Sequence, residues 1–211
     1  MGPTDRRARE REATRSLIMD AAREMFAEVG YDALTMRAIA KRIEYTPTAI
    51  YHHFRDKEEL LGEVCSQDFL ALAKEFSGLS KVADPIERLM GIGRAYIRFA
   101  LEHPNHYRTM FLTPIPHDHK KMKIERWNPD QDAYGFVLRT VEAGIAAGRF
   151  LPDLRDAQIL AQMFWAGVHG IAALHIVKGN DGWVEWRDAE ATSELMCRAL
   201  FRGVLRDPSG Y

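Results

Sequence analysis

Residues 34–61 read LTMRAIAKRIEYTPTAIYHHFRDKEELL and contain three helix starts in close succession. Thr35 and Thr46 each stand directly before a helical pattern, where the side-chain oxygen can cap the first turn. Pro47 follows at the first helical position, which suits proline because the amide there has no helical partner. Asp56 and the glutamate three residues later have the spacing of a capping box. The stretch therefore predicts two short helices followed by a longer one.

The second of these helices, residues 47–54, is only about two turns long and cannot be stable alone, because helix nucleation is costly. Ala49, Ile50 and Phe54 are placed to bury one side of it against the helix predicted at 36–43. The other side is left for small and polar side chains that can approach base edges or phosphate groups. Two short helices joined by a tight turn and braced on both sides form a helix-turn-helix unit.

Positive charge is concentrated around this unit, although the whole chain is nearly neutral. The 211 residues have a formal net charge of -1, yet residues 35–57 contain five Lys or Arg against two Asp or Glu. Binding to phosphate groups requires such local positive charge. Near the N-terminus, the basic segment RRAREREATR can be either a disordered arm that follows a DNA groove or the solvated start of a helix.

Helical periodicity extends over the rest of the chain. Apolar residues recur at three- and four-residue spacing in almost every long segment, without a run of alternating β-branched residues. The exception is the segment 113–132, which contains three prolines and mixed charge and is predicted to be a mobile loop. The chain is therefore predicted to be all-α.

The segments GYDALTMRAIAKRI and YTPTAIYHHFRDKEELL resemble the N-terminal domain of the TetR family of one-component transcriptional regulators, over about residues 14–64. The resemblance implies a homodimer that binds a palindromic operator in double-stranded DNA. It also implies a division into a disordered basic arm at 1–10, a three-helix helix-turn-helix DNA-binding domain at 11–62 and a helical ligand-binding and dimerisation domain at 63–211. The residues at the family's DNA-contacting positions are Thr35, Arg37, Thr46, Pro47, Thr48, Tyr51, His52, His53 and Lys57.

One residue departs from the family pattern. The turn before the second short helix usually contains glycine, whereas this chain has Glu44. A left-handed backbone at Glu44 would cost about 1 kcal/mol relative to glycine, and its charge would face the DNA side. Packing alone is the alternative explanation for His53, which can be a core histidine.

FWAGVHG, residues 164–170, resembles a TetR subgroup named for its Trp, His and Gly, here Trp165, His169 and Gly170. By this resemblance the last two helices form a four-helix dimer bundle, and the middle helices enclose a pocket for an unknown small-molecule effector. Such pockets are mostly apolar, which predicts an apolar or aromatic effector. Plain core packing is the alternative for each residue. The candidate lining residues are Tyr96, Phe99, Tyr107, Phe111, Phe136, Trp165 and His169.

Several other classes of site are not predicted. Cys65 and Cys197 are far apart in amphipathic segments and are expected to be buried, reduced thiols. His117 and His119 have no carboxylate or cysteine partners at metal-site spacing, so no metal is expected. The apolar run at 164–177 is shorter than the roughly 20 residues of a membrane span, and the N-terminus lacks an apolar signal segment. We therefore expect a cytoplasmic protein.

The function predicted is that of a DNA-binding transcriptional regulator, a ligand-released repressor acting as a dimer. The alternatives are a transcriptional activator, a helical small-molecule-binding protein without a working operator, and an enzyme. The enzyme is disfavoured because the chain has no Gly-x-Ser-x-Gly elbow, phosphate loop or paired-carboxylate motif, and no cofactor is predicted.

Overall fold

The structure, a computed structural model, describes the backbone of residues 3–112 and 123–211 and the side chains from residue 5 onward in these ranges. The described residues form an all-α fold, as predicted, with one isolated antiparallel bridge between Phe150 and Leu205. The helices are α1 Pro3–Ala33, α2 Met36–Arg42, α3 Pro47–Tyr51, α4 Lys57–Ser77, α5 Pro85–Glu102, α6 Pro104–Tyr107, α7 Ala133–Ala146, α8 Ala157–Lys178 and α9 Ala189–Val204. A π-helical turn, Arg108–Leu112, follows α6 directly, and a 3-10 turn, Gly78–Lys81, follows α4.

The described chain divides into two compact units. The first contains residues 3–68 together with 105–112 and Lys123, and the second contains 69–104 and 124–211. α4 passes without a break through the boundary predicted between residues 62 and 63, because its apolar stripe continues to its end. The compact division therefore lies within α4, and α6 belongs to the first unit from Asn105 onward.

The first ten residues differ from the predicted disordered arm, because α1 already begins at Pro3. Side chains one turn apart support this part of the helix. Arg6 Nε lies 3.4 Å from Glu10 Oε1, and Arg9 Nε donates to the backbone oxygen of Asp5 at 3.3 Å. Oppositely charged residues at four-residue spacing stabilise a helix. Of the two alternatives for the basic segment, the structure has the helix.

α1 is interrupted at Gly30, close to its end. Gly30 has φ 76° and ψ 179°, so the helix is kinked there and continues to Ala33. The positive φ suits glycine, which has no Cβ to clash. α1 packs on α2, and α2 on α3. The core of the first unit includes Ile18, Phe26, Leu34, Ile39, Ile50, Phe54, Leu60 and Val64.

A buried ion pair lies beside this core. The Asp68 carboxylate has a side-chain exposure of 1% and accepts hydrogen bonds from Arg23, with Nη2 at 2.8 Å and Nε at 3.1 Å. His106 Nδ1, on α6, lies 3.0 Å from the same carboxylate. Cys65 is buried close by, and burial raises the pKa of its thiol to about 12. Asp68 thus connects α1, α4 and α6 inside the first unit.

The second unit is built around α5, which packs against α7, α8 and α9. Asp84 caps α5 by accepting from the amides of Ile86 (2.8 Å) and Glu87 (3.0 Å). α8 and α9 approach closely at Gly167, where an added Cβ would lie 2.6 Å from Met196 Sδ. Glycine at this position therefore allows the close contact between α8 and α9.

α8, with 22 residues, is the only helix among the described residues that is long and apolar enough to cross a membrane. The apolar run predicted at 164–177 was shorter because it left out Ile159, Leu160 and Ala161 in the first turns of the helix. The core helix of a soluble protein can have the same length and composition as a membrane span. α8 packs against α5, α7 and α9.

The predicted loop at 113–132 is described only from residue 123, so its first part, with His117 and His119, lies outside the described residues. In the described part, Asp132 accepts from the amides of Trp127 (3.0 Å) and Gly135 (3.1 Å) and thereby caps α7. Within the described residues, no three His, Cys, Asp or Glu side chains are grouped to hold a metal ion.

Candidate DNA-binding surface and effector cluster

Threonine caps fix the starts of α2 and α3. Thr35 Oγ1 accepts from the amide of Ala38 at 3.1 Å, and Thr46 Oγ1 accepts from the amide of Ala49 at 3.3 Å. Each hydroxyl satisfies an amide that has no partner within its own helix. Both predicted caps are confirmed, and Pro47 is the first residue of α3.

The start of α4 differs in one detail from the predicted capping box. Asp56 Oδ1 accepts from the amide of Glu59 at 2.7 Å, as expected of a cap. The Glu59 carboxylate, however, accepts from the amide of Arg55 at 2.8 Å, one residue before the cap. The same two acidic side chains therefore fix the turn that follows α3.

The turn between α2 and α3 contains Glu44 in a left-handed conformation, with φ 60°. The amide of Tyr45 donates to the Ala40 carbonyl at 2.9 Å, and the amide of Glu44 donates to the Lys41 carbonyl at 3.3 Å. These two bonds form a Schellman motif, which usually has glycine at the left-handed position. The turn thus has the usual geometry of such a helix end in spite of the glutamate.

α3 is the candidate recognition helix and is shorter than predicted, ending at Tyr51 with His52 as its C-cap. Ile50 and Phe54 are buried and attach it to the core, whereas Ala49 is only half-buried. Tyr51 has 53% of its surface exposed. Seven of the nine predicted DNA-contacting residues are exposed, namely Thr35, Arg37, Thr46, Pro47, Thr48, Tyr51 and His52.

His53 is partly buried, unlike its neighbour His52. Burial lowers the pKa of His53, and the nearby charges of Arg11 and Arg15 lower it further, so the ring is neutral near pH 7. Its backbone oxygen accepts from Arg15 Nη1 at 2.9 Å. These contacts attach the end of the recognition segment to α1.

Lys57 is half-buried and held by a partner that sequence reasoning missed. Its Nζ donates to the backbone oxygen of Tyr31 at 2.8 Å and lies 3.9 Å from the centre of the Tyr31 ring. Tyr31 Oη donates to Glu58 Oε1 at 2.6 Å, and this bond raises the tyrosine pKa to about 12. Tyr31 precedes Lys57 by 26 residues, a separation that no local spacing rule covers.

In the second unit, three of the predicted effector residues form a hydrogen-bonded cluster, which we call the effector cluster: Tyr96, Trp165 and His169. Trp165 Nε1 donates to Tyr96 Oη at 3.2 Å, and Tyr96 Oη lies 3.0 Å from His169 Nδ1. Because the indole N–H can only donate, the tyrosine hydrogen is free to be donated to His169. Burial lowers the pKa of His169, which favours the neutral ring that this bond needs.

Tyr134 is a neighbour of the effector cluster that the sequence did not indicate. Its ring centre lies 5.8 Å from that of Trp165, and its hydroxyl donates to Gln158 Oε1 at 2.6 Å. The available signal was its position in the first turn of α7, two residues before the predicted effector residue Phe136.

The seven predicted effector residues do not lie in one unit. Phe99 and Phe136 are buried in the second unit, which also contains the effector cluster. Tyr107 and Phe111 belong to the first unit, where their ring centres are 5.0 Å apart. Tyr96, Phe99 and Phe136 are each at least 93% buried, whereas Trp165 and His169 are only partly buried.

Known protein families match both the N-terminal and the C-terminal part of the chain. The family model of bacterial regulatory proteins of the tetR family matches residues 18–64. The model of the tetracyclin repressor-like C-terminal domain matches residues 89–200, which is more than half of the chain. The chain belongs to the TetR family. Its likeness to the Trp-His-Gly subgroup stays a prediction.

Relatives within the TetR family include two named transcriptional regulators. The HTH-type transcriptional regulator UidR of Escherichia coli (strain K12) is 37% identical over 78 residues, which is 37% of this chain and 37% of UidR. The chain therefore spans well under half of the length of UidR. The HTH-type transcriptional repressor KstR2 of Mycobacterium tuberculosis is 29% identical over 163 residues, which cover 71% of this chain and 76% of KstR2.

Solved structures agree with the fold of a TetR-family protein. The fatty acid degradation regulator FadR from Bacillus halodurans superimposes with a TM-score of 0.72 at 18% identity, covering 89% of this chain and 98% of that chain. A TetR family transcription regulator from Marinobacter aquaeolei has a TM-score of 0.71 at 19% identity, over 94% and 98% of the two chains.

Proposed function

We propose that this TetR-family protein is a cytoplasmic, non-enzymatic repressor that binds a palindromic operator as a homodimer and is released by a small molecule. The observation that best supports this proposal is the exposed side of α3, which extends from Thr46 to Tyr51. Ile50 and Phe54, on the opposite side, are buried and attach the helix to the core. An exposed short helix on a rigid base suits insertion into a DNA major groove. The relationship to KstR2, a named repressor, supports repression over activation.

Dimer formation is supported by exposed apolar side chains on α8 and α9. Ile159 and Leu195 are 62% and 66% exposed, and Leu174 and Val177 are also more than half exposed. Exposed apolar side chains on two helices that pack together provide surface that a second copy of the chain could bury. A twofold pair of recognition helices would read half-sites about 34–36 Å apart, or a multiple of that distance.

Effector binding is supported by the effector cluster. Tyr96, Trp165 and His169 provide a few polar atoms inside an aromatic surrounding, which is the usual composition of a small-molecule site. An effector must bind two conformations of the protein unequally, since equal affinity shifts no equilibrium. An apolar or aromatic compound with one hydrogen-bonding group fits this surrounding.

The test is binding of the full-length protein to the intergenic DNA upstream of its own gene, followed by fluorescence anisotropy at several salt concentrations. We expect salt-sensitive binding that is at least about 1,000-fold tighter than binding to random DNA of the same length. Equal affinity for both DNAs would contradict an operator-binding repressor. It would favour the alternative of a helical ligand-binding protein.

A further inference from the structure

The arginines near the start of α1 lie on two different sides of the helix. On one side, Arg6 is paired with Glu10, and Arg9 donates to the backbone of Asp5. On the other side, Arg7, Arg11 and Arg15 follow one another at four-residue spacing and are neighbours on one face. Like charges at this spacing repel and destabilise a helix. Helix stability therefore does not account for the arrangement.

This face opens into a cleft of about 650 Å³ within the first unit. Its inner end is neutralised by Glu63, which accepts from Arg15 Nε at 3.1 Å and from Lys123 Nζ at 2.8 Å. Burial opposes ionisation of Glu63, but these two donors lower its pKa overall. The lining residues are Arg7, Ala8, Arg11, Glu12, Arg15, Glu63 and Lys123.

The outer end of the cleft has an excess of positive charge. Arg7 and Arg11 are exposed, and neither forms an ion pair with a carboxylate in the ranges that the structure describes. Four cationic side chains and two carboxylates line the cleft. An anion with several oxygens would relieve the repulsion between Arg7 and Arg11, and arginine can bind phosphate through two parallel hydrogen bonds.

The cleft adjoins the recognition segment. Arg15 donates to the backbone oxygen of His53 at 2.9 Å, and its guanidinium carbon lies 4.2 Å from the centre of the Phe54 ring. Arg11 is close enough to His53 for its charge to lower the pKa of the imidazole, after burial. Arg7 and Arg11 therefore continue a cationic surface from the end of α3 along α1.

We infer that Arg7 and Arg11 bind the phosphate backbone of DNA beside the bases that α3 reads. This inference rests on the proposed operator binding and adds a contact that is independent of sequence. Phosphate contacts position a protein on DNA without selecting bases, whereas the exposed face of α3 supplies selection. Helix α1 is thus part of the DNA interface, in a helical form.

The experiment compares two double variants of the full-length protein, Arg7→Ala with Arg11→Ala and, as the control, Arg6→Ala with Arg9→Ala. Both remove two positive charges from the same turns of α1, but from different faces. The dissociation constant is measured on operator and random DNA between about 50 and 200 mM salt.

For the Arg7 and Arg11 variant we expect the slope of log affinity against log salt to fall by about 3.6, because two lost contacts in each protomer make four in the dimer, at about 0.9 per lost phosphate contact. Affinity for operator and random DNA should fall by the same factor, and the melting temperature should be unchanged or higher. Equal slopes for the two double variants, or a lower melting temperature of the test variant alone, would overturn the inference. Failure of the wild type to bind any DNA would instead contradict the proposed function.

Discussion

The amide of Tyr45 donates a hydrogen bond to the carbonyl oxygen of Ala40 at 2.9 Å, across a turn in which Glu44 has φ 60°. The length of this hydrogen bond is normal. Glutamate is an unusual residue for the turn, because a side chain is unfavourable in left-handed backbone. The helix-turn-helix unit of this protein therefore contains local strain that a single substitution can remove.

Replacing Glu44 with glycine is expected to raise the free energy of unfolding by about 1 kcal/mol, because glycine adopts positive φ without the Cβ clash. Urea denaturation of wild type and variant measures this difference. Glu44→Ala is the control, since it removes the charge and keeps the Cβ, and it should leave stability nearly unchanged. Lower stability of Glu44→Gly would mean that the glutamate side chain has a stabilising contact.

The exposed residues of α2 and α3 should divide by type of DNA contact. Arg37→Ala or Thr48→Ala is expected to relax base preference by about 1–3 kcal/mol at individual operator positions, since reading base edges is the role proposed for this face. Affinity for a set of operators with single base changes measures the effect. Unchanged preference in both variants would contradict the assignment.

Tyr51→Phe or Lys57→Ala is expected to weaken binding to all DNA alike. Lys57→Ala should also lower the salt slope by about 2, one charged contact in each protomer, whereas loss of the neutral Tyr51 hydroxyl should leave the slope unchanged. The effect of Lys57 depends on Tyr31, which holds its Nζ at 2.8 Å. Salt titrations on operator and random DNA separate this uniform loss from a base-specific one. A loss confined to the operator would place these side chains among the base-reading residues.

The buried Asp68 should be necessary for stability of the first unit. Asp68→Ala leaves Arg23, with 8% side-chain exposure, without its buried partner, and removing one member of such a pair costs about 3–5 kcal/mol. Asp20 also binds Arg23 but is 62% exposed, so Asp20→Ala is a matched control with a far smaller expected loss. Equal losses of unfolding free energy would show that burial of Asp68 is unimportant.

His169 should make the stability of the second unit depend on pH. Its pKa is lowered by burial, so between the folded and the ordinary pKa the unfolded chain binds a proton that the folded protein does not. Stability is therefore expected to fall as pH decreases below the ordinary histidine pKa of about 6.5. His169→Gln, which can still accept from Tyr96, should lose less stability than wild type between pH 7 and 5. Parallel losses in urea denaturation would contradict the assignment.

Leu195→Glu should prevent dimerisation, because it places a charge on an α9 side chain that is 66% exposed in the single chain. Light scattering at micromolar concentration is expected to show a dimer for wild type and a monomer for the variant. Val29→Glu is the control, since Val29 is 49% exposed in the first unit and lies outside α8 and α9. A dimeric Leu195→Glu protein would exclude this part of α9 from the interface.

The parts of the structure that sequence predicted are those determined by neighbouring residues. Thr35 and Thr46 each bond an amide three residues away, so a short window contains both partners. The contact of Lys57 with Tyr31 joins residues 26 apart, and that of Arg23 with Asp68 joins residues 45 apart. Such pairs depend on how helices cross, which no local pattern specifies.

For the effector residues, helical periodicity identified buried aromatic side chains but not their grouping. Tyr96, Trp165 and His169 do meet, through a contact between α5 and α8. Tyr107 and Phe111 have similar patterns, yet α6 and the turn after it pack in the first unit. Periodicity shows which side of a helix is buried and does not show which helices it is buried against.

The composition of the first unit has a consequence for biosynthesis. Its core-forming segments do not end at residue 68, because α6 and the following turn, residues 104–112, contribute His106 beside Asp68 and the fully buried Tyr107. A ribosome must therefore translate all of α5 before His106 and Tyr107 can complete this core, although domains otherwise fold early as the chain emerges. The nascent first unit stays incomplete during that interval, so a truncated message ending within α5 would yield a poorly folded first unit.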